Sequence, residues 1–330
     1  MMFVVTGGAG FIGSNIVAAL DDRGLDVAIV DSLGSNDFKW RNIAKRRLLD
    51  IVVPDKIFDF LESNRAKITG IVHMGAISTT TETDVDAIVA NNFRLSVDLW
   101  NFCAQADIPL VYASSAATYG DGSQGFVDSI DNEYLSSLRP LNPYGWSKHV
   151  FDRFVLRMVS GGGKCPPRWA GLKFFNVYGP NEYHKQGQRS VAVQLYQQIR
   201  AEGRARLFRS DNPRYRDGEQ LRDFVWIDDC VDVVCWALTD ASAQSGLYNV
   251  GSGEARSFLD KATTLFASLG IEPNIEFIDL PENLRGKYQY YTCASLAKLR
   301  AAGYARPMTS LEQGLDKFVH AYLESGDRFR

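Results

Sequence analysis

The sequence predicts an α/β fold: a doubly wound parallel sheet followed by a smaller C-terminal lobe. Three observations predict it. Across the first half of the chain, short runs that are apolar almost throughout alternate with helical patterns, as in a sheet covered on both faces. A glycine turn separates the first such run from the first helical stretch. After about Asn176 the alternation loosens into charged, aromatic and proline-containing segments with short helices.

Taken in order, Phe3-Val4-Val5 is predicted as the first strand and Phe11 to Asp22 as the first helix. Val27-Ala28-Ile29-Val30 is the second strand, ending at Asp31, and Ile71-Val72-His73 the third. Val85 to Ala104 reads as a helix, Leu110-Val111-Tyr112-Ala113 as a fourth strand followed by Ser114-Ser115, and Tyr144 to Met158 as another helix. Leu172-Lys173-Phe174-Phe175 is the fifth strand. Right-handed crossovers between them give the doubly wound order. Later, Asp211 to Gly218 reads as a surface loop, and Phe224-Val225-Trp226 as a strand. Asp228-Asp229 is expected to cap a helix reaching about Leu238, and Leu247 to Gly251 to form a last strand and turn. These late strands are expected to rejoin the sheet. Residues 1–176 and 222–255 would then form the dinucleotide-binding domain, and 177–221 and 256–330 the substrate lobe.

Composition narrows the function classes. At 330 residues with 45% hydrophobic and 23% charged residues, the chain buries a sizeable core. A net charge of -3 gives no basic field for nucleic acid or anionic lipid, and no apolar run is long enough to span a membrane. The five cysteines match neither a zinc knuckle nor a disulfide framework, so no metal is expected. The start, Met1-Met2-Phe3-Val4-Val5, runs into the glycine turn without a basic leader, and a cytoplasmic location is expected.

Gly7, Gly10 and Gly13 have a GxxGxxG spacing between strand and helix. Glycines let the backbone approach a pyrophosphate, and a helix N-terminus offers free N–H groups and a positive dipole end. In that context a dinucleotide site outweighs a bare glycine turn. Asp31 ends the second strand, where a carboxylate binds adenosine ribose hydroxyls, which favours NAD. Ser32, Lys39 and Arg41 follow closely and suit a 2′-phosphate, so the residues themselves leave NAD and NADP open.

Tyr144 and Lys148 form a YxxxK pair, one turn apart on a predicted helix. A free phenol, with pKa near ~10, is a poor base at neutral pH. A neighbouring ammonium, together with the positive charge of an oxidised nicotinamide, is expected to favour the phenolate, which then takes a proton from a sugar hydroxyl as hydride leaves the carbon. Ser114 and Ser115 end the fourth strand at the same sheet edge, where a hydroxyl holds the reacting oxygen. His73, after an apolar strand, reads as structural.

These motifs resemble the extended short-chain dehydrogenases, a branch of the Rossmann folds. Within them, the chain is similar to the ADP-glyceromanno-heptose 6-epimerases. The resemblance is carried by Thr6 to Asn15, Ala113 to Gly120, Pro140 to Lys148, Phe175 to Pro180 and His184-Lys185. Leu284 to Gln289 and Leu299 to Tyr304 extend it over essentially the whole chain. It implies inversion of C6 in ADP-D-glycero-D-manno-heptose with bound NADP, for the inner core of lipopolysaccharide, by a homo-oligomer, a pentamer in the family. Because C6 has no adjacent carbonyl, inversion requires oxidation and re-reduction. The family uses two acid/bases, which Tyr144 and Lys185 match, with Lys148 on the ribose and Ser115 on the oxygen. The resemblance also implies cofactor contacts at Phe11, Ile12, Asp31, Ser32, Lys39, Ala76, Asn91 and Val177. Substrate contacts are implied at Ser78, Asn176, Phe208, Arg222, Tyr288 and Gln194, the last standing where the family has a histidine. The loop Arg214 to Gln220 is longer than the family's.

Three rival readings differ at named residues. A 4,6-dehydratase needs an Asp-Glu pair where this chain has Ala116-Ala117-Thr118-Tyr119, and a 4-epimerase of the UDP-glucose type has no need of Lys185. A catalytically inactive dinucleotide sensor would lose the pair that Tyr144 and Lys148 preserve.

Overall fold

The structure, a computed structural model, describes residues 1–35, 38–282 and 288–330. In chain order its elements are β1 (Met2–Thr6), α1 (Phe11–Asp21), β2 (Asp26–Val30), β3 (Asp50–Val52), α2 (Ile57–Ser63) and β4 (Ile68–His73). Then come α3 (Val85–Ile88), α4 (Leu95–Ala106), β5 (Leu110–Ser115), α5 (Asn132–Ser137), α6 (Pro143–Ser160), β6 (Trp169–Phe174) and β7 (Asn176–Tyr178). The last part holds α7 (Val191–Glu202), β8 (Ala205–Phe208), β9 (Leu221–Trp226), α8 (Ile227–Thr239), β10 (Gly246–Val250), β11 (Ala255–Ser257), α9 (Phe258–Ser268), β12 (Ile275–Ile278), α10 (Ala297–Ala301) and α11 (Leu311–Phe318).

Seven strands pair in parallel in the order β10-β6-β5-β4-β1-β2-β3. Chain order reverses between β1 and β4, and such a switch point opens a crevice at the strands' C-terminal ends. Alternation along β1 shows why both faces are covered. Phe3 and Val5 join the core with Ile16, Val17 and Leu20 of α1 and Val233 and Val234 of α8. Met2 and Val4 join the opposite core with Leu99 and Trp100 of α4 and Phe151 and Val155 of α6. Each such side chain contributes roughly 1.5–3 kcal/mol by its burial, which clamps the turn between β1 and α1 from both sides.

The doubly wound sheet is as the sequence predicts, with four differences in detail. β3 is an edge strand not expected from the sequence: its short apolar run Ile51-Val52-Val53 is cut off by Pro54, and Asp50 and Ile51 are exposed. The predicted helix from Val85 to Ala104 contains a π turn at Val89–Arg94. That wide turn directs Asn92 inward, where it holds both backbone groups of Ile77 and the Ser147 hydroxyl. The predicted strand at Phe224-Val225-Trp226 forms as β9 but does not rejoin the main sheet. It pairs with β7 and β11, because the open edge beside β6 is filled by β10 along five residues. Finally, Asp228 and Asp229 do not cap α8 but lie within its first turn. Asp228 there meets Lys317, Arg330 and the Trp226 indole, and Asp229 accepts from Thr309.

Beneath the crevice lies a fully buried ion pair, with Lys173 Nζ 2.6 Å from Asp152 Oδ2. Thr118, Ser114 and Tyr112 complete its hydrogen bonds at 2.8, 2.7 and 3.2 Å. His73 closes β4 in the same manner. The Ser96 hydroxyl donates to Asn92 O, so His73 Nε2 donates to Ser96 and its Nδ1 accepts from Thr6 at 2.7 Å. The ring is therefore neutral and structural.

This fixes an acid sensitivity. Burial holds His73 down to about 3 and His149 to about 4, against an ordinary value of 6.5. Between those values the unfolded chain binds more protons, so stability falls as pH drops below 6.5. His73→Gln is expected to flatten the fall in urea-unfolding free energy between pH 6.5 and 4 relative to the native chain; an unchanged slope counts against this.

Candidate active site

A cleft of about 580 Å³ opens at the switch point. Its inner wall is the glycine turn. Gly7 has φ +65°, and a Cβ there would stand 2.7 Å from Gly75 N. A Cβ on Gly13 would stand 2.1 Å from Gly7 O, so α1 starts directly against the end of β1. No side chain caps α1 and its first turn holds no acidic residue. Its first N–H groups face the cleft wall formed by Gly10, Phe11, Ile12 and Gly13. A pyrophosphate fits this cradle: glycines let the backbone come close, and the first turn of the helix offers N–H donors and carries no acidic residue.

Asp31 is fixed by Ala9 N on one oxygen at 2.9 Å and by Lys39 Nζ on the other at 2.5 Å. Lys39 also donates to Ser32 O. Asp31 and Lys39 line the cleft, whereas Ser32 stands behind them, tied by its own N–H to Asp31. Asn42 links this end to the opposite wall, donating to Ala9 O and to His184 Nδ1. Burial and the charges of Lys39 and Lys185 bring His184 down to about 4, so it is a neutral acceptor.

Ser115, Tyr144 and Lys148 meet on the facing wall. Asn142 caps α6 by accepting from Gly145 N, with Pro143 at the first helical position. This sets the helix phase that turns Tyr144, Lys148 and Asp152 inward. Burial raises the Tyr144 phenol, and the opposing influence is a hydrogen bond with Ser115. Lys148, expected to favour the phenolate together with an oxidised nicotinamide, lines the same wall. Lys148 is itself desolvated, down to about 8 despite the charge of Asp152, so it is a weakened cation.

Lys185 faces them from a 3-10 turn at Tyr183–Gln188. Its ammonium lies 5.6 Å from the Phe11 ring centroid, and burial lowers its pKa against an upward pull from Glu182. The segment is pinned on both sides. Buried Asn181, at φ +73°, donates to Ser14 and Asn42 and accepts from Arg330 N. Tyr183 donates to Arg328 O and packs on Phe329. Two ionisable groups of opposite type, Tyr144 and Lys185, thus stand in one closed-in space.

Of the remaining sequence-predicted residues, Ala76, Ser78, Asn176 and Val177 line the cleft. Asn91 does not: it is exposed and donates to Ala87 O, and Asn92 takes the inward position through the π turn. Gln194 is turned away to Arg189 O. Phe208, Arg222 and Tyr288 lie outside the cleft lining but form a cluster beside it. The Arg222 guanidinium stands over the rings of Tyr288 and Phe258 at 5.2 and 5.6 Å, and Phe208 meets Tyr288 edge-on. The long loop closes on this cluster, with Tyr215 stacked on Tyr290. Leu284 to Lys287 of the C-terminal motif lie outside the described residues. Sequence reasoning missed Asn42, Asn92, Glu182 and Lys261. Glu182 follows Gly179-Pro180-Asn181, and its burial beside Ser190 has no sequence signature.

Such a cleft on such a sheet is the architecture of the extended short-chain dehydrogenases. Comparison with known proteins narrows this. Residues 3–251 match the model of the NAD dependent epimerase/dehydratase family. The chain is 46% identical to ADP-L-glycero-D-manno-heptose-6-epimerase of Nitratidesulfovibrio vulgaris over 99% of this chain and 100% of that protein. It is 44% identical to the enzyme of that name from Fusobacterium nucleatum, with the same coverage. The crystal structure of the Helicobacter pylori ADP-L-glycero-D-manno-heptose-6-epimerase superposes with a TM-score of 0.78 at 26% identity, covering 96% of this chain and 94% of that one. UDP-glucuronic acid 4-epimerase from Bacillus cereus, in complex with UDP-glucuronic acid and NAD, gives 0.75 at 26%, covering 96% and 98%. The chain belongs to the NAD dependent epimerase/dehydratase family and, within it, to the ADP-L-glycero-D-manno-heptose-6-epimerases.

Gly13→Ala tests the cradle. On helix propensity alone the change favours folding by about 1 kcal/mol. The clash with Gly7 O predicts the reverse: a lower Tm, and dinucleotide affinity by calorimetry reduced more than tenfold.

Proposed function

We propose that this chain inverts C6 of the heptose in ADP-D-glycero-D-manno-heptose, giving ADP-L-glycero-D-manno-heptose, by transient oxidation and re-reduction. The observation that carries the reading is that Tyr144 and Lys185 share one cleft, with Ser115 hydrogen-bonded to the phenol and Lys148 lining the same cleft. The family of the chain supports the substrate. A nicotinamide dinucleotide held at the glycine turn supplies the reversible hydride acceptor that a carbon without an adjacent carbonyl needs.

The chain's own residues handle the proton and the oxygen. Ser115 donates to the oxygen of the reacting carbon. One of Tyr144 and Lys185 takes the hydroxyl proton on oxidation, and the other returns a proton once the ketone has presented its opposite face. Desolvation acts on the two in opposite senses. It brings Lys185 down toward neutrality, and it leaves Tyr144 protonated until a cationic partner is near. Lys148, at about 8, orients the ribose and supplies part of that positive charge.

The cofactor is a nicotinamide dinucleotide, and NADP is the form proposed. With Ala9 N and Lys39 on its two oxygens, the Asp31 carboxylate is neutralised, and Lys39 stands ready for a 2′-phosphate. The division into a dinucleotide domain of 1–176 and 222–255 and a substrate lobe of 177–221 and 256–330 is likewise proposed, as are a homo-oligomer, a pentamer by family likeness, and a cytoplasmic location. Among the described residues no helix is long and apolar enough to cross a membrane.

Purified protein incubated with ADP-D-glycero-D-manno-heptose and no added cofactor is expected to invert C6, followed by NMR. Tyr144→Phe and Lys185→Ala are each expected to lower kcat by about 100-fold or more with unchanged Tm. Full-speed inversion by Tyr144→Phe sinks the mechanism. Lys39→Met is expected to weaken NADP about tenfold or more relative to NAD in calorimetric titration, and equal losses for both refute the 2′-phosphate role.

A further inference from the structure

α9 begins with a capping box: Ser257 Oγ accepts from Asp260 N at 2.8 Å, and Asp260 accepts from Ser257 N at 2.9 Å. That cap fixes the direction of the next residue, Lys261, which is 1% exposed. Its Nζ stands 3.7 Å from the Phe224 ring centroid and 4.6 Å from that of Tyr178. Among the described residues it has neither a hydrogen-bond acceptor nor an ion-pair partner, and it lines the cleft beside Glu182, Ser190 and Phe258. Burial brings it down to about 7, against an upward pull from the Glu182 charge.

Two ring faces offset only part of the cost of burying an amine. A methionine in the same aromatic cage would fill the space without a polar atom. A polar group that weakens the fold while facing a ligand cleft is the usual trade of stability for binding.

We propose that Lys261 is a substrate-binding residue whose Nζ donates a hydrogen bond to a hydroxyl oxygen of the substrate's sugar, the acceptor that no protein group provides. The ligand class rests on the function proposed above. Sugar is favoured over diphosphate by an aromatic wall. Arg222, the cation suited to the diphosphate, lies over Phe258, and Lys261 lies over Phe224, with these two rings packed edge-on at 5.5 Å between the cations. Lys261 is thereby on the side of Glu182 and Lys185, where the sugar reacts.

Lys261→Met and Lys261→Gln in the full chain test this. K261M is expected to keep or raise Tm, to raise KM for ADP-D-glycero-D-manno-heptose about tenfold or more, and to leave the affinities for NADP and for ADP alone unchanged. K261Q, which keeps a donor, is expected to lose less. A lowered Tm with unchanged KM makes Lys261 structural and overturns the proposal. An equal loss of affinity for ADP alone moves the contact to the diphosphate and overturns the sugar assignment. If the native chain fails to invert the heptose, the function reading falls by itself. Calorimetric binding of ADP-mannose to native and K261M proteins then still decides whether Lys261 contacts a sugar.

Discussion

The close approach of α1 to the end of β1 is the constraint on which the cleft depends. With no Cβ at Gly13, the first turn of the helix rests on the carbonyl of Gly7, and Gly7 itself abuts Gly75 after β4. Three elements therefore meet at the switch point with only backbone between them. Ala9 N is placed to hold Asp31, Asp31 to hold Lys39, and Asn42 to reach from Ala9 O across to His184. A side chain in the turn would push these walls apart and separate groups that work only within a few ångströms of one another.

Desolvation then gives the cleft its chemistry. Lys148, Lys185 and Lys261 are all drawn down by burial, and Tyr144 and Glu182 are drawn up. For the three lysines and Glu182 the shift runs toward the range in which protons exchange readily, whereas the Tyr144 phenol moves away from it and stays protonated. The network below opposes this drift only at Lys148, through Asp152, which is itself held by Lys173, Ser114 and Tyr112. The buried pair is costly to desolvate. It lies beneath the strand end that presents Ser115 and ties β6 to the helix that presents Tyr144 and Lys148, which gives its fixed geometry a use.

The segments after β6 supply the other half of the cleft from separate places in the chain. Lys185 comes from a turn pinned by Asn181 and Tyr183, Lys261 from a capped helix, and Phe224 from a strand of the small three-stranded sheet. Each depends on an element far away in sequence, such as Phe329 packing on Tyr183.

The sequence by itself determined the sheet, the glycine turn, the strand-end serines and the Tyr144–Lys148 pair. Each rests on local physics: apolar runs, a missing Cβ, or the four-residue spacing of one helix face. It missed β3 because a short run such as Ile51-Val52-Val53 before a proline does not distinguish an edge strand from a loop, and it sent β9 to the wrong sheet because strand partners are chosen by non-local pairing. Asn91 and Asn92 are neighbours, and only the π turn decides which of them faces inward. Tertiary structure alone decided the acidities as well. How far the Tyr144 phenol and the Lys148 ammonium are desolvated, and whether Lys261 finds an acceptor, depends on how much water each site excludes and which distant groups pack there.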